Sequence, residues 1–418
     1  MLKRISVADV RVGMYIQAFC GSWVDHPFWK KSFLLESDKD LQRIYASKVE
    51  ELLIDISKGL DCAAAPVETP QLEPEPVTPA PVAKAEEEAA PATQDNEDYS
   101  PAPFSDEIRR AALICERSKQ AVIDMFADVR MGRALQAEQA DNLVKEITAS
   151  VIRHPGAIIS LARLKNADEY TYMHSVAVCA LMVALARQLN FELDQIREAG
   201  LAGLLHDIGK MAVAQNVLNK PGKLSEEEFE AVKAHPILGG QILLENKQIS
   251  ALALDVCMHH HEKYDGTGYP HGLQGEQISV MARMGAICDV YDAVTSNRAY
   301  KKAWDPATSI SRMASWKGHF DEMMFHAFVK AVGIYPIGSL VRLQSGRLGV
   351  VLEQGEGSLL APKVKVFYSA ETRMPIIQQT IDLAETPARD KIISREAPEK
   401  WGFRNLEALW LDLPATPV

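Results

Sequence analysis

The sequence predicts a mainly helical protein, with a small α+β domain before the helices and a short β-rich extension after them. Apolar residues recur at helical spacing almost continuously from residue 105 to residue 333, and from Ile337 the pattern changes to strand-like alternation. A proline-rich acidic segment separates the helices from the first 62 residues. A chain of 418 residues is long enough for several domains.

The predicted N-terminal domain covers residues 1–62. Apolar-rich runs at Ser6–Ile16 and Glu51–Ile56 are typical of strands, and Asp38–Ala46 between them is predicted to be a short helix. No constellation of catalytic side chains occurs in this part of the sequence. We therefore expect the domain to recognise a partner, localise the protein or regulate it.

Residues 63–104 are predicted to form a disordered linker. The segment from 63 to 103 contains nine prolines, nine acidic residues and one lysine. Such a composition buries too little apolar surface to offset the entropy lost on ordering. Because most of the net charge of −11 lies in this segment, the folded parts are close to neutral.

Residues 105–336 are predicted to form the helical domain, which begins at the acidic start Ser105-Asp106-Glu107, and residues 337–418 the β-rich extension. Further helical runs are Tyr170–Leu189, Asp194–Lys210, Ser225–Leu244, Ile249–His261, Val280–Ser296 and Met323–Ala331. The predicted strands of the extension are Leu340–Leu343, Leu348–Leu352 and Lys363–Phe367.

Composition excludes several classes of function. A net charge of −11 argues against a general coat for nucleic-acid polymers, which requires a basic surface. The longest apolar stretch, Val176–Ala186, is shorter than the roughly 20 residues of a membrane helix. Six scattered cysteines without a C-x-x-C pair indicate reduced thiols. We expect a cytoplasmic protein without a membrane span.

Histidines are concentrated in one part of the helical domain, since seven of the eleven lie between His174 and His271. The pair His206-Asp207 follows an apolar helical run, where a carboxylate is costly unless it is paired or bound to a metal. An imidazole beside a carboxylate offers a nitrogen ligand and an oxygen that can bridge two metals. Lys210 follows four residues later on the predicted helix, where it could contact a substrate phosphate.

The order of these residues carries a family resemblance. The series of separated histidines around His206-Asp207 resembles the HD superfamily of metal-dependent phosphohydrolases. The string His260-His261-Glu262-Lys263-Tyr264-Asp265-Gly266-Thr267-Gly268-Tyr269-Pro270 is similar to the signature of the HD-GYP subfamily, and the first 60 residues resemble a small domain that precedes some HD-GYP domains. The resemblance covers about residues 167–334 and implies cyclic di-GMP phosphodiesterase activity on a helical scaffold.

The resemblance implies a site with two divalent transition-metal ions. Mixed imidazole and carboxylate ligands favour iron, manganese or zinc over magnesium or calcium, and we expect iron or manganese. Asp207 would bridge the two ions. A third ion is not expected, because Tyr170 stands four residues before His174 and Glu169 lies on another helix face. His259 is expected to be packed or to support a ligand. The implied ligands are His174, His206, Asp207, His235, His260, His261 and Asp289.

Substrate contacts are expected beside this centre. Arg298 and Lys301 follow the Asp289 helix and match the subfamily's substrate-contacting pair, with a guanidinium that can hold a phosphate by two bonds. Tyr269, in a glycine-rich loop, could stack on a guanine or form a hydrogen bond across the site. Asp292 could orient a ligand histidine or a water, or could be a structural cap. The Gly268-Tyr269-Pro270 loop and the N-terminal domain are candidate surfaces for protein partners, and a homodimer is a further candidate assembly.

The expected reaction is in-line attack of a metal-activated bridging hydroxide on a phosphorus of cyclic di-GMP, with Lys210 stabilising the added charge. The product would be pGpG, and a second turnover could give GMP. Two alternatives stay open: hydrolysis of another nucleotide by the same kind of site, and a sensor that binds metal and nucleotide without turnover. Product formation with added manganese or iron(II) distinguishes the last alternative.

Overall fold

A computed structural model describes residues 2–20, 33–35, 37–45, 51–60, 97–164, 170–218, 220, 222–296, 303–355, 357–385 and 390–411. The chain divides into two compact units, residues 1–94 and 95–418. The predicted linker lies outside the described residues up to residue 96. Its last part lies against the second unit, because Arg153 donates to the Asp98 carbonyl at 2.8 Å and Arg197 to the Tyr99 hydroxyl at 2.6 Å.

The described part of the first unit contains a four-stranded antiparallel sheet in the order β1-β4-β2-β3 and one helix, α1. Their bounds are β1 Leu2–Ser6, β2 Tyr15–Cys20, β3 Phe33–Leu34, α1 Asp38–Tyr45 and β4 Glu51–Asp55. The prediction of one strand over Ser6–Ile16 is wrong. The Ser6 hydroxyl accepts from the Ala8 amide and begins a 3-10 turn over Val7–Asp9, so the chain bends between β1 and β2.

The second unit is a helical bundle followed by a sheet. The helices are α2 Phe104–Arg130, α3 Ala137–Arg153, α4 Pro155–Arg163, α5 Tyr170–Gln188, α6 Leu193–Leu205, α7 Gln215–Leu218, α8 Glu226–Lys233, α9 His235–Leu244, α10 Ala251–His259, α11 Val280–Thr295, α12 Pro306–Ser315, α13 Glu322–Val332 and α14 Pro398–Trp401. The mainly helical prediction is confirmed.

Helix α5 forms the centre of the bundle. Its residues from Met173 to Ala186 are buried on every side, and it contacts α2, α3, α4, α6, α11 and α13. A helix that is apolar all round is stable only when other elements cover it completely. The central position of α5 places His174, near its start, inside the bundle.

Two helical runs are shorter than predicted. The run Asp194–Lys210 ends as an α-helix at Leu205 and continues as a 3-10 turn over Ile208–Ala212. The run Ser225–Leu244 divides at Ala234 into α8 and α9, because Pro236 cannot donate a helical hydrogen bond. Periodicity of apolar residues does not reveal either break, and both lie at candidate site residues.

The C-terminal sheet is antiparallel, and in the described residues its strand order is β8-β7-β6-β5-β9. The strands are β5 Leu340–Leu343, β6 Arg347–Glu353, β7 Lys363–Ser369, β8 Met374–Asp382 and β9 Ile392–Arg395. The sequence analysis found the first three. The polar and exposed pattern of β8 hides the alternation by which a strand is recognised. No helix in the described residues is long and apolar enough to span a membrane.

Candidate metal centre

The end of α6 begins the site. The α-helix stops at Leu205, and Asp207 has φ −101° and ψ 9°, which turns the chain into the following 3-10 segment. Gly209 in that segment lies directly against the start of α9. A Cβ at this position would be 1.9 Å from the His235 carbonyl oxygen, so any larger residue would separate the two elements. This close approach brings His235 to Asp207.

Five parts of the bundle converge on one buried cluster of side chains. They are α5, the end of α6, the first residue of α9, the end of α10 and the middle of α11. Each of the seven predicted ligands is in this cluster, and all except His261 and Asp289 are 1% exposed or less. The His261 side chain is 23% exposed and so faces the open side of the cluster. The seven are His174, His206, Asp207, His235, His260, His261 and Asp289.

Asp207 is shared by two groups of potential ligand atoms. His174, His206 and Asp207 form one group, which we call the inner group, and Asp207, His235, His260 and His261 form the other, the outer group. Within each group the ligand atoms lie within 4.8 Å of one another. The Oδ2 atom of Asp207 is 3.3 Å from His206 Nε2, and its Oδ1 atom is 3.3 Å from His235 Nε2.

Asp289 lies between the two groups. Its Oδ1 atom is 3.0 Å from His174 Nε2 and 3.9 Å from His206 Nε2, whereas Oδ2 is 3.7 Å from His261 Nδ1. Helix α11 therefore presents a second carboxylate to both groups. Two carboxylates and five imidazoles in one buried cluster form a donor set suited to borderline transition metals.

Backbone carbonyls orient three of the imidazoles. The Nδ1 atoms of His206, His235 and His260 lie 2.8 Å from Gly203 O, 2.7 Å from Val232 O and 3.0 Å from Cys257 O. A carbonyl oxygen only accepts, so each Nδ1 carries the proton and each Nε2 presents its lone pair to the cluster. These rings are therefore held in the tautomer that binds a metal through Nε2.

Two buried atoms in the cluster lack a hydrogen-bond partner among the described residues: His206 Nε2 and Asp207 Oδ1. Unpaired acceptors in the interior are costly, and a bound cation would compensate both of them. The residues present therefore fit the metal ions that the sequence analysis expects.

The electrostatic environment favours the metal-binding protonation states of Asp207, His260 and His261, whereas the pKa of His206 is raised because the carboxylates of Asp207 and Asp289 outweigh the effect of its burial. Burial by itself would raise the pKa of Asp207, but Lys210 and the nearby imidazoles outweigh it and hold the pKa well below its usual range. Burial lowers the pKa of His260 well below normal and that of His261 to about 3, so both rings are neutral near pH 7. A neutral imidazole and an ionised carboxylate are the forms that bind metals.

Lys210 does not lie on the same α-helix as His206, as the sequence analysis expected. It belongs to the 3-10 turn, and its ammonium is 2.5 Å from Asp207 Oδ2. The Lys210 side chain is 23% exposed, so its ammonium lies at the edge of the cluster. An edge position beside the shared carboxylate is compatible with contact to a substrate phosphate.

Asp292 contacts a ligand histidine, as its spacing from Asp289 suggested. Its Oδ2 atom is 2.6 Å from His174 Nδ1, and the residue is 2% exposed. The carboxylate therefore orients the His174 ring, as backbone carbonyls orient the rings of His206, His235 and His260. His259 points elsewhere: its Nδ1 is 2.8 Å from Asp255 and its Nε2 is 3.1 Å from His271 Nδ1.

The glycine-rich loop places Tyr269 on the open side. Its ring stacks on that of His261 with a centroid separation of 4.8 Å and an angle of 27°, and Lys233 lies over its ring at 5.8 Å. Burial, with Asp289 and Asp207 nearby, raises the pKa of Tyr269, so the phenol keeps its proton. Sequence reasoning assigned no role to Glu262. The only feature that could have drawn attention to it is its position directly after two candidate ligands. Its side chain is buried beneath this loop.

The remaining predicted site residues cannot be placed. Arg298 and Lys301 lie outside the described residues, as do Glu169 and the side chain of Tyr170. The predictions about phosphate binding by the basic pair and about a third metal ion stay predictions.

Comparison with known proteins identifies the family. The sequence profile of the HD domain matches residues 153–324, and that of a domain of unknown function, DUF3391, matches residues 2–140. A cyclic di-GMP phosphodiesterase of Pseudomonas aeruginosa is 58% identical over 419 residues, which cover 99% of this chain and 96% of the relative. The chain belongs to the HD-GYP family. The predicted family, fold class and enzyme class, a phosphodiesterase, are thereby confirmed.

Other relatives match a smaller share of this chain. The cyclic di-GMP phosphodiesterase response regulator RpfG of Xanthomonas campestris is 34% identical over 53% of this chain and 64% of its own length. The 3'3'-cGAMP-specific phosphodiesterase 3 of Vibrio cholerae is 39% identical over 40% of this chain and 36% of its own length. HD-domain phosphohydrolases depend on metal ions, in agreement with the two groups of ligand atoms.

Proposed function

We propose that this HD-GYP chain hydrolyses cyclic di-GMP to pGpG, and then to GMP in a second turnover, with two iron or manganese ions held by the inner and outer groups. The observation that carries this proposal is the position of Asp207, whose two oxygens face different sets of imidazoles. A carboxylate shared in this way is suited to bridge two ions. When bound, the ions supply Lewis-acid stabilisation of phosphoryl charge and activation of water near neutral pH.

The chain's own residues would bind and orient the substrate. Lys210, at the edge of the cluster, would offer its ammonium to a non-bridging phosphate oxygen of the substrate. Tyr269 offers a ring face beside His261, on the side where the cluster is accessible. Arg298 and Lys301 add cationic contacts to the second phosphate. Asp292 keeps the His174 ring in one tautomer throughout the reaction.

The substrate assignment is tested by product analysis. The purified protein, loaded with manganese or with iron(II) under anaerobic conditions, is incubated with cyclic di-GMP, 3'3'-cGAMP and a panel of nucleoside triphosphates and alarmones. We expect pGpG to appear first and the highest kcat/KM for cyclic di-GMP. A higher kcat/KM for another nucleotide would assign the site to that substrate. Tight binding of cyclic di-GMP without product at full metal loading would instead support a sensor.

We further propose that the four parts of the chain assigned from the sequence have different functions, with catalysis confined to the helical domain. The predicted ligands and their supporting residues lie beyond residue 170, whereas the first unit contributes none of them. The N-terminal domain would recognise a partner or regulate the enzyme. The buried cysteines Cys179, Cys257 and Cys288 carry free thiols, which is compatible with a cytoplasmic location. Pull-down with the N-terminal domain as bait, compared with the loop variants, tests which surface binds a partner.

A further inference from the structure

Glu262 is a buried carboxylate directly beside a proposed metal ligand. Its residue is 2% exposed, and among the described residues no lysine or arginine lies within ion-pair distance. Its two oxygens accept hydrogen bonds from backbone amides instead: the His271 amide donates to Oε1 at 2.7 Å, and the Leu273 amide donates to Oε2 at 3.2 Å. A buried carboxylate without a cation is costly, so both bonds are needed to compensate it.

These two bonds hold the returning arm of the glycine-rich loop. The outgoing arm is held by another contact, in which the Tyr269 amide donates to the His261 carbonyl at 3.2 Å. Gly268 lies so close to the backbone of Glu262 that a Cβ there would be 2.5 Å from the Glu262 Cα. The loop therefore folds back over the peptide that joins His261 to Glu262, and its two arms are fixed to that peptide and to the Glu262 side chain.

The consequence is a fixed position for the Tyr269 ring. The ring stacks on His261, the proposed ligand with the largest exposure among the histidines of the cluster. His261 differs from His206, His235 and His260, whose rings are each oriented by a backbone carbonyl. The His235 and His260 rings and Asp289 Oδ2 also lie against His261, and the stacked tyrosine is the contact that the glycine-rich loop adds to this ring.

We propose that Glu262 is a positioning residue for cyclic di-GMP: through the backbone of residues 271–273 it fixes Tyr269 against His261 and so preorganises the open side of the site. This inference rests on the proposed function, because it concerns the same substrate. The alternative is a carboxylate that stabilises the fold without affecting substrate binding. The two roles predict different kinetics.

The test compares Glu262→Gln with wild type, using two substrates. A glutamine has one carbonyl oxygen, so its amide group would oppose one of the two backbone N–H donors and that bond would be lost. We expect an unchanged metal content, unchanged hydrolysis of the small diester bis(p-nitrophenyl) phosphate, and a KM for cyclic di-GMP raised roughly tenfold. The matched control is Glu245→Gln, the same change at an exposed helix end, which should leave all three unchanged.

A double-mutant cycle with Tyr269 separates positioning from stability. If Glu262 acts through Tyr269, then Glu262→Gln has no further effect on KM in a Tyr269→Leu background. Additive effects on KM would overturn the proposal, and so would a Glu262→Gln enzyme that is less stable to heat but has the KM of wild type. If Glu262→Gln does not fold, Glu262→Asp, which keeps the charge but is too short to reach both amides, replaces it with the same expectations. A wild-type enzyme without activity on cyclic di-GMP would contradict the proposed function instead.

Discussion

The inner and outer groups of the metal centre share Asp207 but differ in how their histidines are held. In the inner group, His174 and His206 are almost completely buried, and each Nδ1 has a carboxylate or carbonyl partner. In the outer group, His261 is 23% exposed, and its ring stacks on that of Tyr269, which belongs to the glycine-rich loop. The difference supports the proposal that both groups hold metal and that the outer group, through His261, also faces substrate.

The largest effect should come from the residue that both groups share. We expect Asp207→Ala to lose most of the bound metal and all measurable turnover, because the two groups lose their common oxygen ligands together. Elemental analysis and a cyclic di-GMP assay measure the two effects. Asp194→Ala, at the exposed start of α6, is the control. An Asp207 variant that keeps the metal content of wild type would contradict the shared ligation.

The second-largest effect should be a loss of metal affinity confined to the inner group. Asp292→Ala removes the acceptor of the His174 Nδ1 proton, so the ring can adopt the wrong tautomer. We expect metal affinity to fall about 10- to 100-fold for one ion, while a second ion stays bound. Titration with a chelator, followed by metal analysis, resolves the two ions.

Asp255→Ala provides a matched control for Asp292. Asp255 accepts from His259 at 2.8 Å in a similar way, but His259 is not among the predicted ligands. This variant should lose each ion at the same chelator concentration as wild type. Equal metal loss from the two variants would show that the inner group has no special dependence on Asp292.

Substrate contact should change kinetics without changing metal content. Arg298 follows the helix that carries Asp289, and its guanidinium is predicted to hold a phosphate. Arg298→Ala should raise the KM for cyclic di-GMP on the order of tenfold to a hundredfold, as expected for one charge-assisted hydrogen bond. Steady-state kinetics at matched metal loading check this value. An unaltered KM would assign Arg298 to the solvent-exposed surface.

The smallest effect is expected from the region farthest in sequence from both groups. A chain that begins at Asp95 keeps Asp98 and Tyr99, which bind Arg153 and Arg197, and contains every predicted ligand. We expect it to fold, bind metal and retain cyclic di-GMP hydrolysis within a few-fold of the full chain. Activity of both proteins at equal metal content is the measurement. A folded, metallated but inactive shorter chain would make the N-terminal domain part of the enzyme.

Local sequence patterns were sufficient to predict the mainly helical class, because helical periodicity marks the elements, and His206-Asp207 in an apolar run indicates a buried site that requires a cation. The full set of residues that meet in the cluster came from the family resemblance. The resemblance of the string from His260 to Pro270 supplied the family. Asp292 could be suggested because its separation from Asp289 places both residues on one helix face.

Tertiary structure decided the features that depend on contacts between distant segments. The 3-10 turn that places Lys210 on Asp207 depends on Gly209 lying against α9, which no periodicity encodes. The proposed role of Glu262 depends on backbone amides in the loop that follows it. Backbone amides are present whatever the side chains are, so the sequence does not mark the ones that bind Glu262. Side-chain patterns report which residues are buried. They do not report which backbone groups are brought to a buried carboxylate, because that is set by the path of the chain.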